Sequence, residues 1–166
     1  MVDWQMVQEL GPYSWSGIGT ALLCGAIVGL ERQVRGKPVG IRTSALITLG
    51  TYLFLAGASS VVSQGGDPSR VIGQIITGIG FLGAGVMLAR DGVVVGVTSA
   101  ATIWALAAIG IAVGLGNYGV GIVLSLVIVG VLLGVDLLED TFQSLTRGVH
   151  RKYSGWRRRR GDSNEP

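Results

Sequence analysis

The sequence predicts an all-α integral membrane protein with five transmembrane helices. Of the 166 residues, 49% are hydrophobic and only 14% are charged, and the mean hydropathy is positive. The apolar residues also fall in long runs that carry almost no charge, instead of alternating with polar residues as in a soluble domain. A run of about 18 such residues is long enough to span a bilayer as a helix.

The five spans are predicted at residues 13–30, 41–62, 71–88, 97–115 and 118–138. The first span is not interpreted as a signal peptide, because no lysine or arginine precedes it. Tyr13 and Tyr118 stand at span ends, as is typical of aromatic side chains at the headgroup level. Gly116 and Asn117 leave room only for a tight reversal, so we expect the last two spans to form an antiparallel hairpin.

The third span opens with a predicted helix start. Asp67 can accept hydrogen bonds from free backbone N–H groups, and Pro68 at the first helical position has no N–H to leave unsatisfied. We therefore expect Asp67 to be the N-cap of this helix. A role at the mouth of an ion path is the alternative for Asp67.

The distribution of positive charge predicts the orientation, because cytoplasmic loops are enriched in lysine and arginine. Of the 13 such residues, 12 lie in the loops after spans one and three, at the start of span two (Arg42) or in the C-terminal tail, whereas Arg70 alone lies on the other side. We expect a short extracytoplasmic N-terminus at residues 1–12 and a cytoplasmic tail, first amphipathic and then basic, at 139–166. Arg157 to Arg160 are expected to bind anionic lipid headgroups and not nucleic acid.

Glycine is frequent inside the spans, where small residues let helices approach closely in lipid. The segment GIGFLGAG at 78–85 matches the dinucleotide pattern G-x-G-x-x-G, but no strand precedes it, so we reject that interpretation. Small residues on several faces predict that the third span is central. A break in this helix, exposing carbonyls to a permeating ion, is the alternative. The predicted helix-packing glycines are Gly25, Gly29, Gly78, Gly80, Gly83 and Gly85.

Ionisable groups are placed at the ends of the spans. No acidic residue, histidine or lysine lies near the centre of a predicted span, so we expect no cofactor and name no metal ligand. Glu31 ends the first span and can pair with Arg32, or with Arg42 across the loop. Cys24 and His150 lie at opposite ends of the chain, so no catalytic set is predicted and an enzyme is not expected.

Three blocks of the sequence together resemble the MgtC/SapB family of bacterial inner-membrane proteins: GLERQVRGKPVGIRT at 29–43, DPSRVIGQIITGIGFLGAG at 67–85 and GVTSAATIWALAAIGIAVGLGNYGVG at 96–121. The resemblance implies a multi-pass plasma-membrane protein associated with growth at low magnesium and, in pathogens, with survival inside macrophages. It also implies that regulation of other membrane proteins competes with magnesium transport as the function.

By position, the resemblance assigns the family's recurring polar residues to Glu31, Arg32, Gln33, Arg42, Thr43, Asp67, Ser69, Arg70, Thr98, Thr102 and Trp104. The virulence-type members carry a soluble C-terminal domain, whereas this chain is expected to end in its basic tail. Functions that depend on that domain are therefore not expected here.

The sequence favours a membrane-embedded modulator of magnesium-linked ion or energy homeostasis that acts through helix–helix contacts with another membrane protein. A transporter of magnesium or another ion, assembled as an oligomer, is the alternative. The expected partners are membrane lipids and another membrane protein, and a homo-oligomer is left open.

Overall fold

The computed structural model describes residues 11–62, 66–90 and 93–141. Within these ranges the chain forms five α-helices and one short β-hairpin: α1 (Trp15–Val34), α2 (Ile41–Val62), α3 (Pro68–Gly85), β1 (Leu88–Arg90), β2 (Val93–Val95), α4 (Val97–Gly114) and α5 (Tyr118–Thr141). The chain divides into two compact units, residues 1–129 and 130–166. In the second unit the structure describes the last part of α5, whose described side chains are exposed or half-buried.

The fold class is all-α, as predicted, and the hairpin is a small addition to it. The third span was expected to reach residue 88, but α3 ends at Gly85 and Leu88 pairs with Val95 in the antiparallel ladder. The valine run at 93–95 favours a strand because β-branched side chains fit an extended backbone. Gly96 then turns the chain into α4 with a φ of +92°, and a Cβ there would collide with the Val86 carbonyl.

Three of the described helices are long and apolar enough to cross a membrane. They include the windows Ile41–Ser59 in α2, Val97–Gly114 in α4 and Tyr118–Val135 in α5. Helices α1 and α3 are not among them, and each carries polar or charged side chains within its length, such as Arg32 in α1 and Gln74 in α3. The chain is therefore a membrane protein, and the five-span count belongs to the proposal made below.

The core of the first unit lies where α1, α2 and α4 pack against one another. Cys24 and Val28 of α1 and Leu106 and Ile109 of α4 are fully buried there. Helix α3 packs against α2 and α4, but most of its described side chains are exposed. The prediction that the third span is central is therefore wrong, since small residues mark where close approach is possible and do not show that a neighbour is present.

Side-chain contacts at both ends of the bundle fix the helix directions. At the start of α1, the Ser14 and Tyr118 hydroxyls lie 2.9 Å apart, so α1 and α5 begin together. At its other end, Arg32 contacts Ser99 at the start of α4. The turn at Gly116 and the approach of Gly121 to Val113 confirm the predicted α4–α5 hairpin.

Candidate functional site

A buried charged cluster joins the end of α1 to the start of α4. Arg32 is only 4% exposed, and its Nη2 donates a hydrogen bond to Ser99 Oγ at 2.7 Å. Burying a guanidinium is costly unless it is paired, so this bond ties the two helices at a defined register. Arg32 is one of the positions assigned by resemblance, whereas Ser99 is not.

Glu31 lies next to this contact, and its side chain is 6% exposed. Its Oε1 is 3.0 Å from Nε of Arg35, one helical turn later. Neither carboxylate oxygen has an aligned hydrogen bond, nor does Nε of Arg32, so the attraction to Arg35 is mainly electrostatic. The ion pair of Glu31 uses its i, i+4 neighbour Arg35, and Glu31 also interacts electrostatically with Arg32, one of the two partners suggested by the sequence.

The loop between α1 and α2 is held by backbone and amide contacts beside this cluster. The Gln33 side chain accepts a hydrogen bond from the backbone N–H of Ile41 at 3.3 Å, which satisfies a free donor at the start of α2. Val39 has a φ of +69°, an uncommon conformation for a β-branched residue. Its side chain is buried, and its carbonyl accepts from Ser44 Oγ at 3.1 Å, so packing and a hydrogen bond hold the strained residue.

Arg42 and Thr43 are exposed and point away from this cluster toward an apolar crevice. This α2–α3 groove has a volume of about 740 Å³ and lies between the α2 face from Arg42 to Phe54 and the α3 face from Val71 to Leu82. Gln74 lines it from α3. Arg42 therefore lines the groove and Glu31 does not, although both lie near the same loop.

Asp67, Ser69 and Arg70 form a separate group at the start of α3. Asp67 Oδ1 accepts from the Ser69 backbone N–H at 2.9 Å, and Oδ2 accepts from the Ser69 hydroxyl at 2.8 Å. The predicted N-cap is confirmed, with Pro68 in the first turn. These hydrogen bonds from Ser69, together with the charge of Arg70, lower the pKa of the exposed Asp67 carboxyl.

The three positions assigned on α4 have different environments. Thr102 is buried, and its hydroxyl donates to the Thr98 carbonyl at 2.8 Å, which satisfies it within the helix. Thr98 is exposed, and Trp104 is 57% exposed. Ser99 and Thr102 share the buried side with Leu106, so this spacing is the signal that could have identified Ser99.

The six glycines singled out from the sequence fall into three groups. A Cβ on Gly25 would lie 2.6 Å from the Ala45 Cα, and one on Gly29 would lie 2.9 Å from the Ile41 backbone nitrogen, so α1 and α2 touch backbone to backbone. At Gly83 a Cβ would meet Ala100 at an ordinary 3.7 Å. At Gly78, Gly80 and Gly85 it would meet nothing within 4 Å, so these three pack no described helix.

The sequence interpretation missed two interhelical contacts. Thr48 Oγ1 donates to the Ala21 carbonyl at 2.7 Å across the α1–α2 crossing. At the opposite end from Arg32, the Ser14 backbone N–H donates to the Tyr52 hydroxyl at 2.8 Å, next to Tyr118. Tyr118 was interpreted as a membrane anchor, and its hydroxyl also serves this contact.

Helix α3 is continuous from Pro68 to Gly85, so the alternative of a break at GIGFLGAG is wrong. Within the described ranges, no three histidine, cysteine, aspartate or glutamate residues lie close enough together to hold a metal ion. The basic run Arg157 to Arg160 and the tail beyond Thr141 lie outside the described residues.

Comparison with known proteins identifies one matching family and several similar proteins. The MgtC family profile matches residues 18–141. The putative magnesium transporter YhiD of Escherichia coli K12 is 44% identical in an alignment of 138 positions that covers 78% of this chain and 62% of that protein. Protein MgtC of Brucella abortus is 41% identical in an alignment of 133 positions that covers 78% of this chain and 55% of that protein. Protein MgtC of Salmonella typhimurium LT2 is 44% identical over 98 residues, 59% of this chain and 42% of that protein.

The chain thus spans between 42% and 62% of the length of these relatives. None of their names is that of an enzyme. No solved structure matches the chain. Because the family match covers most of the sequence, including all eleven polar positions assigned above, the chain belongs to the MgtC family.

Proposed function

We propose that the protein is a multi-pass protein of the bacterial plasma membrane that modulates magnesium-linked ion or energy homeostasis by binding a helix of another membrane protein. The proposal includes five spans with the N-terminus outside and the C-terminus in the cytoplasm. The link to magnesium is supported by the names of the relatives, a putative magnesium transporter and MgtC proteins. The binding role rests on one observation, the outer face of α3.

This outer face is a stripe of small residues, Gly73, Thr77, Gly80 and Ala84, which recur at helical spacing. All four are exposed, and a Cβ on Gly73 or Gly80 would meet nothing within 4 Å. The Thr77 hydroxyl donates to the Gly73 carbonyl at 2.9 Å, so the stripe presents no unsatisfied hydroxyl. We call it the small-residue face of α3.

Such a face suits a transmembrane helix because, in lipid, helices associate through close backbone approach and dispersion contacts. The chain itself uses the same arrangement where α1 crosses α2 at Gly25 and Gly29. Phe81, which is 82% exposed beside the small-residue face, offers a large side chain that could pack against a docked helix. The small-residue face therefore supports a partner helix without any catalytic group.

The test compares Gly80→Leu with Gly19→Leu in a host that lacks its own MgtC-family gene. Both glycines are exposed, helical and free of neighbours, so neither substitution should prevent folding. We expect only Gly80→Leu to lose complementation of the low-magnesium growth defect and to lose cross-linking to a second membrane protein. Full complementation by well-expressed Gly80→Leu would contradict the proposal.

Transport is the second candidate, and two observations favour it. One relative bears the name of a putative magnesium transporter, and the polar side chains of Thr43, Thr51 and Gln74 line the α2–α3 groove. In reconstituted liposomes we expect no magnesium uptake above that of empty vesicles. Saturable uptake that Gln74→Leu abolishes would replace the modulator with a transporter.

A further inference from the structure

The α2–α3 groove is an open apolar crevice that the described helices leave unfilled. Its volume is about 740 Å³, and its walls are mostly apolar side chains such as Leu46, Ile75 and Leu82. Each wall contains a glycine at which a Cβ would meet nothing within 4 Å, Gly50 on α2 and Gly78 on α3. The two glycines together give the groove its depth.

The groove has a positive charge at one end. Arg42 is exposed, lies in the first turn of α2 and makes no ion pair with a described residue. The first-turn N–H groups of α2 add partial positive charge at the same end, since they have no partner within the helix. An occupant with an anionic head and an apolar body would match both the charge and the walls.

The length of the groove matches one leaflet of a bilayer. From Arg42 to Phe54 the α2 wall rises by 12 residues, or about 18 Å at 1.5 Å per residue. Half of a bilayer hydrocarbon core is about 15 Å. A lipid chain entering at Arg42 would therefore extend along most of the groove.

The shape and charge of the groove favour an acyl chain as the occupant. A single acyl chain is narrow enough to lie between the two glycines, and its anionic head would stand at the Arg42 end. The groove also lies on the far side of α3 from the small-residue face. The α3 positions that line the groove are offset by two residues from those of the small-residue face, and two residues correspond to a rotation of about 200° around the helix axis.

We propose that the α2–α3 groove binds one acyl chain of an anionic glycerophospholipid, whose phosphate contacts Arg42. This site is independent of the partner helix proposed above, since it uses the opposite side of α3. Gln74 lies about 12 Å along α3 from Leu82, beyond reach of the headgroup, so its amide is not needed for binding.

Native mass spectrometry of the delipidated full-length protein tests the site, with phosphatidylglycerol and phosphatidylethanolamine added as probes. We expect phosphatidylglycerol to bind more tightly and Arg42→Gln to weaken it about fivefold, the effect of one basic contact. Lys37→Gln is the matched control, because Lys37 is an exposed cation in the adjacent loop and does not line the groove.

Three further variants test the acyl chain. Gly78→Leu fills the groove and should reduce binding of both lipids, whereas Gly19→Leu, at an open glycine on α1, should not. Gln74→Leu should leave binding unchanged or stronger. Equal affinity for the two lipids, equal effects of Arg42→Gln and Lys37→Gln, no loss with Gly78→Leu, or weaker binding with Gln74→Leu would each overturn the proposal.

Discussion

Adding a single methyl group at Gly25 should separate two helices. In Gly25→Ala the new Cβ would lie 2.6 Å from the Ala45 Cα and 2.7 Å from the Ser44 carbonyl oxygen. Both neighbours are backbone atoms of α2, so no side-chain rotation can relieve the overlap. Carbon atoms prefer a separation of about 3.5–4.0 Å, and the crossing must therefore open by about 1 Å.

The cost of this opening can be estimated from the contacts at the crossing. Overpacking of a well-packed core costs about 1–3 kcal/mol. The hydrogen bond from Thr48 Oγ1 to the Ala21 carbonyl, 2.7 Å long, would stretch or break, at about 0.6 kcal/mol in a membrane protein. Alanine regains about 1 kcal/mol of helix propensity over glycine. The free energy of unfolding should fall by about 0.5–2.5 kcal/mol.

Gly19→Ala on the same helix is the matched control, because a Cβ at Gly19 would meet nothing within 4 Å. Gly19→Ala should gain the helix propensity of alanine without any steric overlap, and so should stabilise the protein. Thermal unfolding of the purified protein in detergent, followed by tryptophan fluorescence, measures both variants. If Gly25→Ala were as stable as Gly19→Ala, the backbone contact between α1 and α2 would be refuted.

Three other predictions concern the cluster, the α3 cap and the orientation. Ser99→Ala should destabilise the protein by about 1.5–3 kcal/mol in thermal unfolding, since it leaves the buried Arg32 without its acceptor, whereas Thr98→Ala at an exposed position should be mild. The pKa of Asp67 is lowered in the folded state, so the stabilisation of α3 by this carboxylate is present above the unfolded pKa and is lost as the pH falls through the folded pKa. Amide exchange at Ser69 should show this loss in the wild type but not in Asp67→Asn. In a Cys24→Ala background, Asn117→Cys should react with an impermeant maleimide on intact cells and Lys37→Cys only after lysis, and the reverse pattern would refute the orientation.

Local signals in the sequence predicted local structure well. Asp67 followed by Pro68 gives both the side-chain acceptor and the fixed φ of a helix start, and the structure has that cap. Gly116 and Asn117 likewise predicted the α4–α5 reversal. These features depend on a few adjacent residues, so no knowledge of the tertiary fold is needed.

Tertiary partners were harder to predict. The Glu31–Arg35 ion pair is not one of these, because it is an i, i+4 pair that helix spacing alone could have predicted. Ser99 was not predicted as a site residue, because a hydroxyl becomes informative only once a buried cation faces it. The small residues at Gly25 and Gly80 look alike in sequence, yet only Gly25 has a neighbouring helix in the described structure.

The exposed glycines of α3 lower the stability of the helix, and no contact in the described structure offsets this loss. Gly73, Gly78 and Gly80 lie inside the helix, where each lowers helix propensity by about 1 kcal/mol relative to alanine, and a Cβ would fit at all three. A helix selected for stability alone would therefore carry alanine there. In the proposals made above, this space serves a partner helix at Gly73 and Gly80 and a lipid chain at Gly78.

Filling these positions should change stability and binding in opposite directions. The triple variant Gly73→Ala, Gly78→Ala, Gly80→Ala should raise the free energy of unfolding by about 2–3 kcal/mol, because it gains propensity at three positions without overlap. It should at the same time weaken cross-linking to the partner and retention of phosphatidylglycerol, because three methyl groups occupy the two surfaces. Thermal unfolding measures the gain in stability, and the two binding assays on the same preparation measure the loss of binding. A triple variant that is more stable and binds normally would show that the glycines of α3 serve neither neighbour.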